Sequence, residues 1–148
     1  MTPRPKSPFS NHLREHDMTI VEHGAMGRVA YARIAPNEDL VQGIEKTCLA
    51  EGIRNAFVRG ALGSLVDATL VTKSDGTRVL VNGPAVEVVS IAGEVRAGPD
   101  NTIAAALSGV VADTDGQVFG GFFVPGGNTV CMTFEVTLEE WLPADASA

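Results

Sequence analysis

Residues 37–52 read NEDLVQGIEKTCLAEG, and the fold class follows from them and from what surrounds them. Leu40, Val41, Ile44, Cys48 and Leu49 recur at spacings of three and four, which places them on one apolar helix face. Asn37 suits the N-cap, Glu38 and Asp39 put carboxylates at the positive end of the helix dipole, and Gly52 suits the left-handed residue that ends a helix. Upstream, Arg28–Ile34 (RVAYARI) alternates Val29, Tyr31 and Arg33 against Ala30, Ala32 and Ile34, as a strand does, and Pro36 and Asn37 stop it. Downstream the pattern is β-rich: AFVRGALGS, LVDATLVT, RVLV, VEVVSIAGEV, IAAALSGVVA, QVFGGFFV and TVCMTFEVTL follow one another. Short turn signals separate them, among them Lys73-Ser74-Asp75-Gly76, Asn82-Gly83-Pro84 and Asp113-Thr114-Asp115-Gly116. Parallel strands would need crossover helices, and no second amphipathic stretch of that length occurs. The expectation is an α+β domain, an antiparallel β-meander sheet packed with one main α-helix.

Length and composition narrow the function classes. At 148 residues the chain suits one domain, expected over residues 19–143, with a leader at 1–18 and a short tail at 144–148. Three prolines, three Lys or Arg residues and two histidines in Met1–Asp17, with few apolar side chains, leave that leader unable to order itself. The net charge of −7 repels a phosphate backbone, so direct DNA binding is disfavoured. Cys48 and Cys131 both sit in apolar runs and read as small buried hydrophobes, which suits a reducing cytoplasm. No run approaches the ~18 apolar residues of a membrane span, and the start lacks the apolar middle of a signal peptide. A cytoplasmic protein without a membrane anchor is expected.

Five local motifs, read together, resemble the plants-and-prokaryotes-conserved (PPC) domain family. They are Asn37-Glu38-Asp39-Leu40, Gly52-Ile53, Gly63-Ser64-Leu65 with Ala68, Glu87-Val88-Val89-Ser90-Ile91-Ala92-Gly93, and Asp115-Gly116-Gln117-Val118-Phe119-Gly120-Gly121. The resemblance implies a sheet packed with helix, a homotrimer, and proteins provisionally labelled DNA-binding. Many bacterial members carry a His-x-His before the Asp-Gly turn and a third histidine after Gly-Gly. The matching positions here are Ala106, Ser108 and Phe122, and no histidine follows His23, so no metal and no other cofactor is expected. Plant relatives carry an AT-hook core resembling Arg-Gly-Arg-Pro; Pro3-Arg4-Pro5-Lys6 lacks its Gly-Arg half and forms no hook.

Candidate sites are few. His12 and His16 lie four apart but without a third ligand, and read as a solvated tail. His23, before Gly24, could sit at a pocket edge as an acid or base, with an exposed loop residue as the plainer reading. Arg59, Asp67, Glu87, Glu94 and Arg96 interrupt strand patterns, where a buried charge needs a partner, and Glu87 is expected to pair with Arg59 or a neighbouring subunit. Ser64 lacks the Gly-x-Ser-x-Gly elbow, and Cys131 sits in an apolar run, so neither reads as a nucleophile. Gly120 and Gly121, read as a bulge, and the cluster of Phe119, Phe122 and Phe123 mark a possible ligand or subunit surface. The leading function is an oligomeric small-molecule-binding or regulatory domain, with Arg59, Arg96, Gly120, Gly121 and Phe122 at the ligand. The alternative is a metal-independent enzyme acting on a small anion, with Arg59 or Arg96 as clamp and His23 or Glu87 as acid or base.

Overall fold

The computed structural model describes residues 18–144. The leader expected at 1–18 falls almost wholly outside the described residues, as do His12, His16 and the end of the C-terminal tail. Eight strands and one α-helix follow in order: β1 (Gly24–Ile34), α1 (Leu40–Glu51), β2 (Ala56–Leu65), β3 (Ala68–Val71), β4 (Arg78–Val81), β5 (Val86–Ala97), β6 (Ile103–Ala112), β7 (Val118–Phe123) and β8 (Val130–Pro143). All eight form one antiparallel sheet, ordered β1-β8-β2-β5-β6-β7-β3-β4. The α+β class and the antiparallel sheet with one main helix are as the sequence indicates.

The meander is only local. β5, β6 and β7 pair in succession and β3 pairs with β4, but β2 lies between β8 and β5, and β7 turns to β3 rather than to β8. The turn Pro125-Gly126-Gly127-Asn128 is short, yet it does not close a hairpin. Asn128 is fully buried there and fastens the turn elsewhere. Its Oδ1 accepts from Thr69 N at 3.0 Å, while its Nδ2 donates to Thr69 O at 3.1 Å and Val124 O at 2.9 Å. The chain is thereby tied to β3 before β8 crosses to the far side of the sheet.

Asn128 N also donates to Asp39 Oδ1, and Asp39 Oδ2 accepts from Gln42 N, so the helix N-cap is Asp39 and not Asn37. Asn37 instead adopts φ 70° in the turn before the helix, a conformation that asparagine tolerates. Gly52 ends the helix at φ 67°, as its composition suggests. Leu40, Val41, Ile44 and Cys48 are buried, but Leu49 is exposed, because the apolar stripe is narrower than its spacing implied. Burial pushes the Cys48 thiol up to about 11, so it is an inert core group.

The helix packs against both β6 and the edge strand β1, which lie four places apart in the sheet. Flat strands at ~4.8 Å spacing would set those two roughly 19 Å apart, beyond the reach of one helix ~10–12 Å wide, so the sheet curls around it. The concave face holds the core, with Ile34, Leu65, Leu70, Val95, Leu107, Phe134 and Leu138 at or near zero exposure.

Arg28 fastens the C-terminal end of the helix to this sheet. Its Nε and backbone N–H reach Glu140 Oε1 and its Nη2 reaches Glu140 Oε2, while Nη1 and Nη2 also donate to the terminal helix carbonyls of Glu51 and Gly52. These bonds, first from the guanidinium and then from the backbone, hold the Glu140 carboxyl below its ordinary 4.5. A carboxyl with a lowered folded value stabilises fully above the unfolded value, and that contribution fades as pH falls through the folded one. The difference in melting temperature between the parent and Glu140→Gln should therefore stay constant from about pH 7 to about pH 5 and narrow below 4.5. A gap unchanged at about pH 3 would contradict the role assigned to this charge.

Candidate functional site on the convex sheet face

Strand alternation sends one set of side chains into the core and the other to the convex face. The outward set mixes paired charges, such as Arg33 with Glu135 and Arg59 with Glu139, with exposed apolar side chains. Tyr31 is 66% exposed, Leu62 63%, Val118 65%, and Val89 and Phe122 59% each. The same alternation divides the aromatic cluster read from the sequence: Phe123 is buried in the core, Phe119 packs against its edge, and only Phe122 stands outside. Gly120 and Gly121 are regular β7 residues opposite Val110 and Gly109, without the expected bulge. Gly121 is needed for closeness rather than for a bend, since a Cβ there would lie 2.5 Å from Val71 O on β3.

At the centre of this face the sheet opens. β2 and β5 pair at Ala56–Val58 with Gly93–Val95 and again at Gly63–Leu65 with Val86–Val88, and the ladder is interrupted between the two. Both strands keep their outer partners across the gap, β2 with β8 and β5 with β6. Their facing edges therefore offer backbone donors and acceptors to the opening. Gly93 and Gly63 stand at its corners, where a Cβ would meet Ala106 O at 2.1 Å and Thr133 O at 2.4 Å respectively. Gly60, inside the gap, has open space around its Cβ position. A shallow groove of about 410 Å³, lined by Phe57, Val58, Arg59, Ala92 and Gly93, runs along this interruption.

Of the residues singled out in the sequence, Arg59 and Phe122 reach this region. Arg59 Nε pairs with Glu139 at 2.8 Å and its guanidinium lies 5.8 Å from the Phe57 ring centre. The expected Arg59–Glu87 pair is not formed: Glu87 is exposed and its register partners are Ser64 and Ala112. Arg96 is neutralised by Glu94 at 3.2 Å and Glu22 at 3.3 Å. Asp67 accepts from Gly83 N and shapes a turn. Glu22 is held below its ordinary value, chiefly by the hydrogen bond from the Trp141 indole, although burial opposes the shift. His23 is exposed just before Gly24, which pairs with Pro143 at one end of β8, whereas Glu87 lies near the other end, where Leu65 meets Val130. The 14 residues of β8 separate them by a distance on the order of 40 Å, so one chain cannot use both on one substrate.

The positions matched to the relatives' histidines do converge. Ser108 lies directly between Ala92 and Phe122 in the register, and Ala106 is two residues along the same face. They provide two hydrocarbons and one neutral hydroxyl, which does not fit a divalent cation. Among the described residues, no group of three or more His, Cys, Asp or Glu side chains is placed to hold a metal. The interrupted ladder, the most distinctive element of this face, left no readable mark in the sequence beyond three glycines in otherwise strand-like runs.

Comparison with known proteins agrees with this fold. A curated relative, the bifunctional protein GlmU of a Synechococcus strain, is 31% identical over 115 residues, which cover 78% of this chain and only 17% of that protein's length. A Pyrococcus horikoshii plant- and prokaryote-conserved protein superposes with a TM-score of 0.71 at 23% identity, over 83% of this chain and 85% of its own. A metal-containing protein, AF0104 of Archaeoglobus fulgidus, gives 0.71 at 21% identity over 84% and 87%. A Bacteroides thetaiotaomicron protein provisionally described as DNA-binding gives 0.66 at 14% identity over 79% and 83%. The model of the Plants and Prokaryotes Conserved domain matches residues 21–142, nearly the whole described chain, and the protein therefore belongs to that family.

Proposed function

We propose that this protein is an oligomeric small-molecule-binding or regulatory domain that self-associates, as a homotrimer, through its convex sheet face. The observation that carries the reading is the combination on one surface of Tyr31, Leu62, Val89, Val118 and Phe122, each more than half exposed, with the groove at the interrupted ladder. Contiguous exposed apolar surface marks association sites, and burying Leu62 or Phe122 between subunits would roof the groove and exclude water from it. Backbone groups of the opening and the Arg59 guanidinium would then supply its polar contacts.

The enzyme alternative draws less support. Both arginines assigned to clamp an anion are already paired with carboxylates, and His23 and Glu87 lie at opposite ends of β8. Direct DNA binding is opposed by the charge of −7, and among the described residues Arg28, Arg33, Lys46, Arg59 and Arg96 are each paired with a carboxylate. No helix among the described residues is long and apolar enough to cross a membrane. The two unpaired thiols suit a reducing cytoplasm.

The experiment is light scattering on the parent and on Leu62→Glu and Phe122→Glu. The parent is expected at three times the 15.5 kDa chain mass, and both variants as folded monomers by circular dichroism. A monomeric parent, or variants that stay trimeric, would refute association through this face.

A further inference from the structure

A second cleft lies at the Pro143 end of β8, beside the convex groove, whose Phe57 packs against its Trp141. It encloses about 230 Å³ and is lined by Gly52, Arg54, Asn55, Glu140, Trp141, Leu142 and Pro143. Drug-sized ligands fill pockets of roughly 300 Å³ or more, so only a small molecule fits. Its aromatic wall is rigid. The Trp141 indole N–H is bonded to Glu22, its ring packs tilted against Phe57 at 6.2 Å, and the ring's far edge lies 2.8 Å from where a Cβ on Gly24 would stand. A wall held from three sides loses little entropy when a ligand stacks on it.

Glu22, which holds the indole, is itself paired with Arg96, and the side chains of Arg54 and Asn55 bring donors to the cleft. Arg54 has no carboxylate partner among the described residues. Its Nη1 donates to Asn101 Oδ1 at 2.9 Å, which orients the guanidinium and leaves its Nε and Nη2 edge for a planar anion. The Asn55 Oδ1 accepts from Ala97 N, so its Nδ2 is a second donor with no partner among the described residues. The one acid of the cleft, Glu140, is nine-tenths buried and saturated by Arg28 on both oxygens. It therefore presents a neutralised ion pair and repels an incoming anion little.

We propose that this cleft binds a small monocarboxylate with an apolar body, the carboxylate on the free edge of Arg54 and Asn55 Nδ2, the body against Trp141, Leu142 and Pro143. Inorganic phosphate fits less well, since the cleft offers one guanidinium and an apolar remainder. The site touches the convex groove through the Phe57–Trp141 contact but has its own polar groups and does not rest on the trimer.

Trp141 is the chain's one tryptophan and forms the cleft wall, so its fluorescence reports a ligand stacked there. The test titrates the full chain with phenylacetate, hexanoate, phenylacetamide and inorganic phosphate, following fluorescence and, in parallel, binding heat. Both carboxylates should bind saturably, and the neutral amide should bind at least about tenfold more weakly because the charge-assisted pair is lost. Arg54→Gln should weaken phenylacetate by about tenfold, with Arg54→Lys recovering only part, because a point charge cannot form the fork. Arg78→Gln, on β4 at the opposite edge of the sheet, should leave the titration unchanged. The proposal is overturned if neither readout shows saturable binding, if amide or phosphate binds as well as the carboxylates, or if Arg54→Gln binds like the parent.

Discussion

Asn128→Leu is expected to destabilise the fold by about 3 kcal/mol, although it replaces a side chain of nearly equal size. The amide is fully buried, and leucine would orphan Thr69 N, whose partner is Asn128 Oδ1. Thr69 O and Val124 O would each keep one acceptance, from Val124 N and Gly127 N respectively, so the main penalty is one unpaired amide plus two lost hydrogen bonds. Asn128→Asp should fare no better, because a carboxylate would face those two carbonyl oxygens. Urea unfolding of the parent and both variants measures this, and a loss below about 1 kcal/mol for Asn128→Leu would show that the turn is held by something else. The backbone N–H of residue 128 still reaches Asp39 in either variant, so the helix cap should persist.

Gly93→Val should cost about 3 kcal/mol or more, or prevent folding. The added Cβ would sit 2.1 Å from Ala106 O and 2.9 Å from Leu107 Cα, and both are backbone atoms of the neighbouring strand that no rotamer change can move. Gly60→Ala is the matched control, since its Cβ meets nothing within 4 Å, and it should change stability by no more than about 0.5 kcal/mol. Thermal melts of the two variants separate crowding from a general intolerance of β2 and β5 to side chains. Comparable losses for both would remove the basis for assigning Gly93 to a corner of the opening.

Much of the architecture was legible because it rests on local chemistry. Helix periodicity from Leu40 to Cys48, the left-handed Gly52 and the alternation of eight apolar runs act over a few residues, and the structure realises each of them. The cap was misplaced from Asp39 to Asn37 because both residues can cap, and the choice was made by a contact with Asn128, 89 residues away. Strand order was misread for the same reason: short turns suggest hairpins, but the buried bonds of Asn128 carry β8 across the sheet.

The candidate site was less legible. Arg59 could be named as a charge needing a partner, but nothing local chooses Glu139 over Glu87, since that depends on which strands become neighbours. By itself the sequence determined the element types, the absence of imidazoles beyond His23 and a net acidic charge. Only the tertiary structure decided which strands adjoin, where the β2–β5 ladder parts, and that Phe122 faces outward while Phe123 is buried. The physical reason is range: propensity, capping and alternation are fixed by neighbours in the chain, whereas ion pairs, grooves and close backbone approaches depend on neighbours in space.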